Sequence, residues 1–74
     1  MKIRQNWDGV LYIEHEDRLY ELDTPSRAIA WRLFVFEEGT AYDDLFNDPD
    51  LEPTEVHDPH LLELFVNSAR LLNL

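Results

Sequence analysis

Thr24-Pro25-Ser26-Arg27-Ala28-Ile29-Ala30-Trp31-Arg32-Leu33-Phe34-Val35-Phe36 is the stretch that decides the fold of this chain. Thr24 can cap a helix, and Pro25 at the first helical position gives up a donor that a helix start does not need. Ile29, Leu33 and Phe36 then recur as one stripe, with Trp31 and Val35 on another. The spacing predicts a helix over residues 25 to about 36 that is apolar on most sides. A helix of that kind is the central helix of a small core. Gly39 supplies its stop.

Upstream, the period is two rather than 3.6. Residues 2–7 alternate, with Ile3, Gln5 and Trp7 on one side. Asp8-Gly9 reads as a tight hairpin turn, because Asp-Gly supplies positive φ at low cost. Residues 10–15 are rich in β-branched and aromatic side chains, which suits a strand. Glu16-Asp17 reads as a second turn. Residues 18–22 alternate again, with Tyr20 and Leu22 opposite Leu19 and Glu21. Together these segments predict a three-stranded antiparallel meander.

Downstream, residues 40–46 read as a short second helix, with Thr40 and Asp43 as a capping pair. Residues 47–58 hold two prolines amid many carboxylates, a poor composition for a helix or a central strand. Asp58-Pro59 repeats the cap-plus-proline start, and a last helix runs to about residue 72. Leu61, Leu64, Phe65, Ser68, Ala69 and Leu72 mark its periodic face. The order is β-β-β-α-α-α: an α+β, winged-helix-like single domain over residues 1–74, a three-stranded antiparallel sheet followed by three helices. Ile29, Leu33, Phe36 and Phe65 are its expected core.

Composition narrows the function. A chain of 74 residues holds one domain with a marginal core. It has no cysteine, so neither disulfides nor thiolate metal sites support the fold. No apolar run approaches the ~20 residues needed to span a bilayer. The polar start, Met1-Lys2-Ile3-Arg4-Gln5-Asn6, has no signal-peptide pattern, and the expected location is cytoplasmic. Sixteen Asp and Glu against six Lys and Arg give a formal charge of −10. Such a surface repels nucleic acid and anionic membranes and attracts a basic partner. A DNA-reading last helix would need cations, and this one carries Arg70 against Asp58 and Glu63.

Catalytic and metal chemistry find little footing. His57 and His60 flank Asp58 near Glu55, but no second ligand cluster closes a site, and zinc needs three or four convergent ligands. Ser26 and Ser68 have no histidine at motif spacing. With only Gly9 and Gly39 there is no glycine-rich phosphate loop. A non-catalytic protein without metal or cofactor is expected. The better candidate is the third strand, Arg18-Leu19-Tyr20-Glu21-Leu22. As the edge of a three-stranded sheet it offers unpaired N–H and C=O groups to a partner strand, beside a groove formed with the last helix.

Leu19-Tyr20-Glu21-Leu22-Asp23-Thr24-Pro25, followed by Ala28-Ile29-Ala30-Trp31-Arg32-Leu33, resembles the PqqD-like family. Gly39-Thr40-Ala41-Tyr42-Asp43-Asp44-Leu45, Leu64-Phe65 and Leu71-Leu72 extend the likeness over nearly the whole chain. That family comprises recognition elements of ribosomally made, modified peptides. The resemblance implies a module that binds a precursor's leader peptide as a strand beside Arg18, Leu19, Tyr20, Glu21 and Leu22. The leader's apolar side chains would sit near Leu61, Leu64, Phe65 and Ser68, and a separate modifying enzyme would receive it. The alternative is an acidic inhibitor from a phage or mobile element that occupies a basic nucleic-acid-binding surface of a host protein by charge complementarity.

Overall fold

The computed structural model describes residues 1–6, 8–25 and 30–73. Strands β1 (Lys2–Gln5), β2 (Leu11–His15), β3 (Arg18–Asp23) and β4 (Arg32–Val35) precede a one-turn helix α1 (Asp44–Asn47). A two-residue strand β5 (Thr54–Glu55) and the long helix α2 (Pro59–Leu71) follow. The strands form one antiparallel sheet in the order β1-β2-β3-β4-β5.

The first three strands and the last helix fall close to where the alternation and the caps place them, with β1 ending at Gln5 and Trp7 outside the described residues. Gly9 takes φ +89° in the first hairpin, and the Asp8 carboxylate accepts a bond from the Val10 N–H at 3.1 Å. In the second hairpin Glu16 and Asp17 have φ of +49° and +63°, the left-handed pair of a type I′ turn. Neither residue is glycine or asparagine, so the turn holds strain of about 1 kcal/mol or more. Replacing Glu16-Asp17 by Asn-Gly is expected to raise the melting temperature by several degrees in a thermal scan. At the start of α2 the Asp58 carboxylate accepts from the N–H groups of His60 and Leu61 at 3.1 and 3.2 Å.

The expected three-stranded sheet with three helices is not the fold. Residues 32–35, read as the second half of a central helix, are strand β4; residues 26–29, with Ile29, lie outside the described residues. The physical reason is burial on both sides. Leu33 and Val35 lie on the sheet face that α2 covers, while Phe34 and Phe36 lie on the other. A strand with both faces covered is apolar at every position and imitates an all-round apolar helix. Gly39, at φ +89°, therefore ends no helix. It sits in the turn after β4, where the Thr40 N–H donates to the Glu37 carbonyl at 3.1 Å. Thr40 caps nothing: the second helix begins only at Asp44, whose carboxylate accepts from the Ala41 N–H at 2.8 Å. The proline-rich stretch contributes β5, paired to β4 through Phe34–Glu55 and Val35–Thr54.

The sheet separates two apolar layers. Leu11, Ile13, Leu22 and Leu33 on one face pack against Phe65, Val66 and Ala69 of α2. Phe65 meets the rings of His15 and Tyr20 at 5.4 and 5.0 Å. On the opposite face Leu19 and Phe36 are buried, and Tyr12, Tyr42 and Phe46 make a chain of ring contacts over them. Leu33, Phe36 and Phe65 are core residues as expected, but Leu33 and Phe36 serve different layers. The radius of gyration is 11.8 Å, close to the ~11 Å of a compact chain this long. No helix among the described residues is long and apolar enough to cross a membrane.

Candidate functional site

Of the two sheet edges, β5 is only two residues long, and shortness protects an edge. The β1 edge is longer. Its register on β2 runs from Lys2–Glu14 to Gln5–Leu11, and in the same register the Asn6 N–H donates to the Val10 carbonyl at 2.8 Å. Antiparallel ladders alternate between bonded and non-bonded pairs. Counting back from Asn6, Arg4 and Lys2 spend their backbone groups on β2. The N–H and C=O of Ile3 and Gln5 point outward, to the open edge.

An apolar groove of about 310 Å³ lies alongside, lined by Met1, Ile3, Ser68, Leu71 and Leu72. Three of these are large apolar side chains left in solvent: Met1 at 55% exposure, Leu71 at 85% and Leu72 at 58%. The amphipathic pattern of α2 explains the placement. Phe65, Val66 and Ala69 face the sheet, and the helix end carries Leu71 and Leu72 past the last strand. The Ser68 hydroxyl donates back to the Leu64 carbonyl at 2.8 Å and so presents little polarity to the groove.

The residues expected to bind a peptide are mostly elsewhere. Arg18, Leu19, Tyr20, Glu21 and Leu22 lie on β3, which is paired to β2 on one side and β4 on the other. It is a central strand with no free edge, so a partner strand cannot add there. Leu19 and Leu22 are buried, and Phe65 is fully enclosed between α2 and the sheet. Leu61 is half-buried against the core, and Leu64 is exposed. Ser68 alone of the nine lines the groove at β1. Sequence reasoning missed that groove because periodicity does not fix which strand the end of α2 lies beside. The available signal was the pair of cations, Lys2 and Arg4, on a short strand.

The opposite face carries a titratable cluster. Burial first, then hydrogen bonding to Asp23 and its charge, push the Glu21 carboxyl up from 4.5 to about 7. Burial, with Glu21 and Asp8 nearby, pushes the Tyr12 phenol up to about 12. A carboxyl whose folded pKa lies above its unfolded value stabilises the fold fully below pH 4.5. That stability is lost as pH rises toward 7. For a half-exposed group the loss is about 1–2 kcal/mol after solvent screening. Melting temperature should therefore be higher at pH 5 than at pH 8. Glu21→Gln should raise it at pH 8 and leave pH 5 nearly unchanged; an equal shift at both pH values would remove Glu21 as the cause.

Arg32 bridges β4 to β5, donating to both Glu55 carboxylate oxygens at 2.9 and 3.3 Å. That contact holds the Glu55 carboxyl below its usual range. Among the described residues no three His, Asp or Glu side chains converge as metal ligands, His57 and His60 included. No family model, no curated protein and no solved structure matches this chain.

Proposed function

We propose that this chain is a non-catalytic binding module that takes an extended segment of a partner onto the open edge of β1. The observation that supports this reading is a juxtaposition. Outward-pointing backbone groups of Ile3 and Gln5 run beside an apolar groove that α2 leaves uncovered. Backbone pairing would give affinity, and the groove would select apolar side chains. The leader of a ribosomally made precursor peptide, passed on to a separate modifying enzyme, is the partner that the family resemblance implies. Binding at β1 replaces binding at β3 in that scheme.

A selection from a random peptide library against the intact protein tests the reading. Gln5→Pro removes an outward N–H while leaving the β1–β2 bonds in place. Affinity for a selected peptide should fall at least tenfold, with the melting temperature little changed. Leu72→Glu should have a similar effect by placing charge in the groove. Unaltered affinity in both variants would refute strand addition at β1.

One observation favours the second reading, an acidic inhibitor of a basic host surface. Residues 37–58 carry nine carboxylates and no lysine or arginine. Seven of the nine are exposed, and Phe46, at 68% exposure, stands among them. Under that reading, reversing Asp48, Asp50 and Glu52 would weaken binding and flatten its salt dependence, while Gln5→Pro would change nothing.

A further inference from the structure

We infer that the segment taken up at β1 alternates apolar and acidic residues, its carboxylates facing Lys2 and Arg4 and its apolar side chains facing the Ile3 groove. The inference rests on strand addition at β1 and adds the chemistry of the partner. Successive residues of β1 point to opposite faces of the sheet. Ile3 pairs with Ile13 on the face covered by α2, and the groove of Met1, Leu71 and Leu72 continues that face. Lys2 and Arg4 lie on the other face, opposite Glu14 and Tyr12. A strand laid against β1 places its own residues on the same side as those they oppose. The partners of Lys2 and Arg4 therefore sit together on one face, and the partner of Ile3 sits on the other.

The charge of β1 itself is opposite in sign to that of the protein. Two of the six Lys and Arg residues of this −10 chain stand on a four-residue strand that has no acidic residue of its own. Arg4 is held at the edge by the Tyr42 ring, 4.3 Å below its guanidinium carbon, and by a loose contact with Glu14 at 3.7 Å. Lys2 is exposed. Opposite charges directly across a strand pair attract, and like charges repel.

The same arrangement decides against a second copy as the occupant. Antiparallel self-pairing brings residues of the same face opposite one another. With Ile3 against Ile3, Lys2 of each copy meets Arg4 of the other. Cations on an edge strand oppose this edge-to-edge association.

Three labelled seven-residue peptides test the inference by fluorescence anisotropy near 0.15 M salt, where charges beyond about 8 Å are largely screened. They are Thr-Leu-Glu-Ile-Glu-Leu-Thr, its Lys-for-Glu counterpart and its Thr-for-Glu counterpart. The Glu peptide should bind tightest, on the order of tenfold better than the Lys peptide. Lys2→Glu, at an exposed position that leaves the Tyr42 contact intact, should shrink or reverse that preference, and Lys2→Glu combined with Arg4→Glu should reverse it. Equal binding of all three, or a preference of the unmodified protein for the Lys peptide, would overturn the inference yet leave strand addition standing, provided Gln5→Pro abolishes binding. No binding by any peptide would overturn both. Concentration-dependent dimers in sedimentation, lost in Gln5→Pro, would assign the edge to a second copy instead.

Discussion

Phe65→Ala is expected to remove a large part of the protein's stability. The side chain has no solvent exposure. It meets the edge of His15 at an interplanar angle of 85° and the ring of Tyr20 at 58°. Truncating a buried phenylalanine costs about 3–5 kcal/mol, because a cavity remains where the ring was. A domain of this size has only about 4–11 kcal/mol in total. At ~4–8 °C per kcal/mol the melting temperature should fall by roughly 15 °C or more. The neighbouring Leu64→Ala, at 43% exposure, is the control and should cost about 1 kcal/mol or less. Equal melting temperatures for the two variants would mean that α2 does not dock through Phe65.

Position 65 was legible in the sequence because two independent signals agree on α2. Asp58-Pro59 marks its start, and the 3.6-residue spacing marks its inner face. The first three strands were legible for a similar reason, as period-two segments bounded by Asp8-Gly9 and Glu16-Asp17. Residues 32–35 carried no such agreement. Phe34 and Phe36 on one face and Leu33 and Val35 on the other erase the alternation that normally marks a strand. Thr24-Pro25 meanwhile offers a helix start with no helix at 32–35 to follow it. That one misreading propagated. With β4 taken as helix, β3 became an edge, and the binding residues were placed on Arg18 to Leu22. Two-residue β5 is too short to leave a periodic trace. For the β1 edge the sequence held only the cations Lys2 and Arg4 as a signal, and the groove itself depends on where Leu71 and Leu72 come to lie beside Met1 and Ile3. The proposed site for an extended partner moves with the correction, from β3 to the edge at β1.

Proline scanning separates the two addresses, and its larger effect falls on β3. The Phe36 N–H donates to the Leu19 carbonyl at 2.9 Å. By the alternation of the ladder, Leu19, Glu21 and Asp23 bond toward β4, and Arg18, Tyr20 and Leu22 bond toward β2. Tyr20→Pro therefore deletes a β2–β3 hydrogen bond in the middle of the sheet and strands the carbonyl that accepted it. It also removes the ring that packs 5.0 Å from Phe65. Proline removes a ladder bond and is found essentially only on edge strands or at bulges, and the lost packing adds to that loss, so this variant should show no cooperative urea transition. Gln5→Pro sits on a strand too, but its N–H faces solvent, and proline is tolerated on edges for that reason. It should unfold within about 1 kcal/mol of the unmodified protein. Both substitutions delete one backbone N–H in the same antiparallel sheet, one facing β2 and the other facing solvent. A cooperative, native-like transition for Tyr20→Pro would mean that β3 has a free side after all. Loss of folding in Gln5→Pro would mean that β1 has none, and with it no edge to which a partner could add.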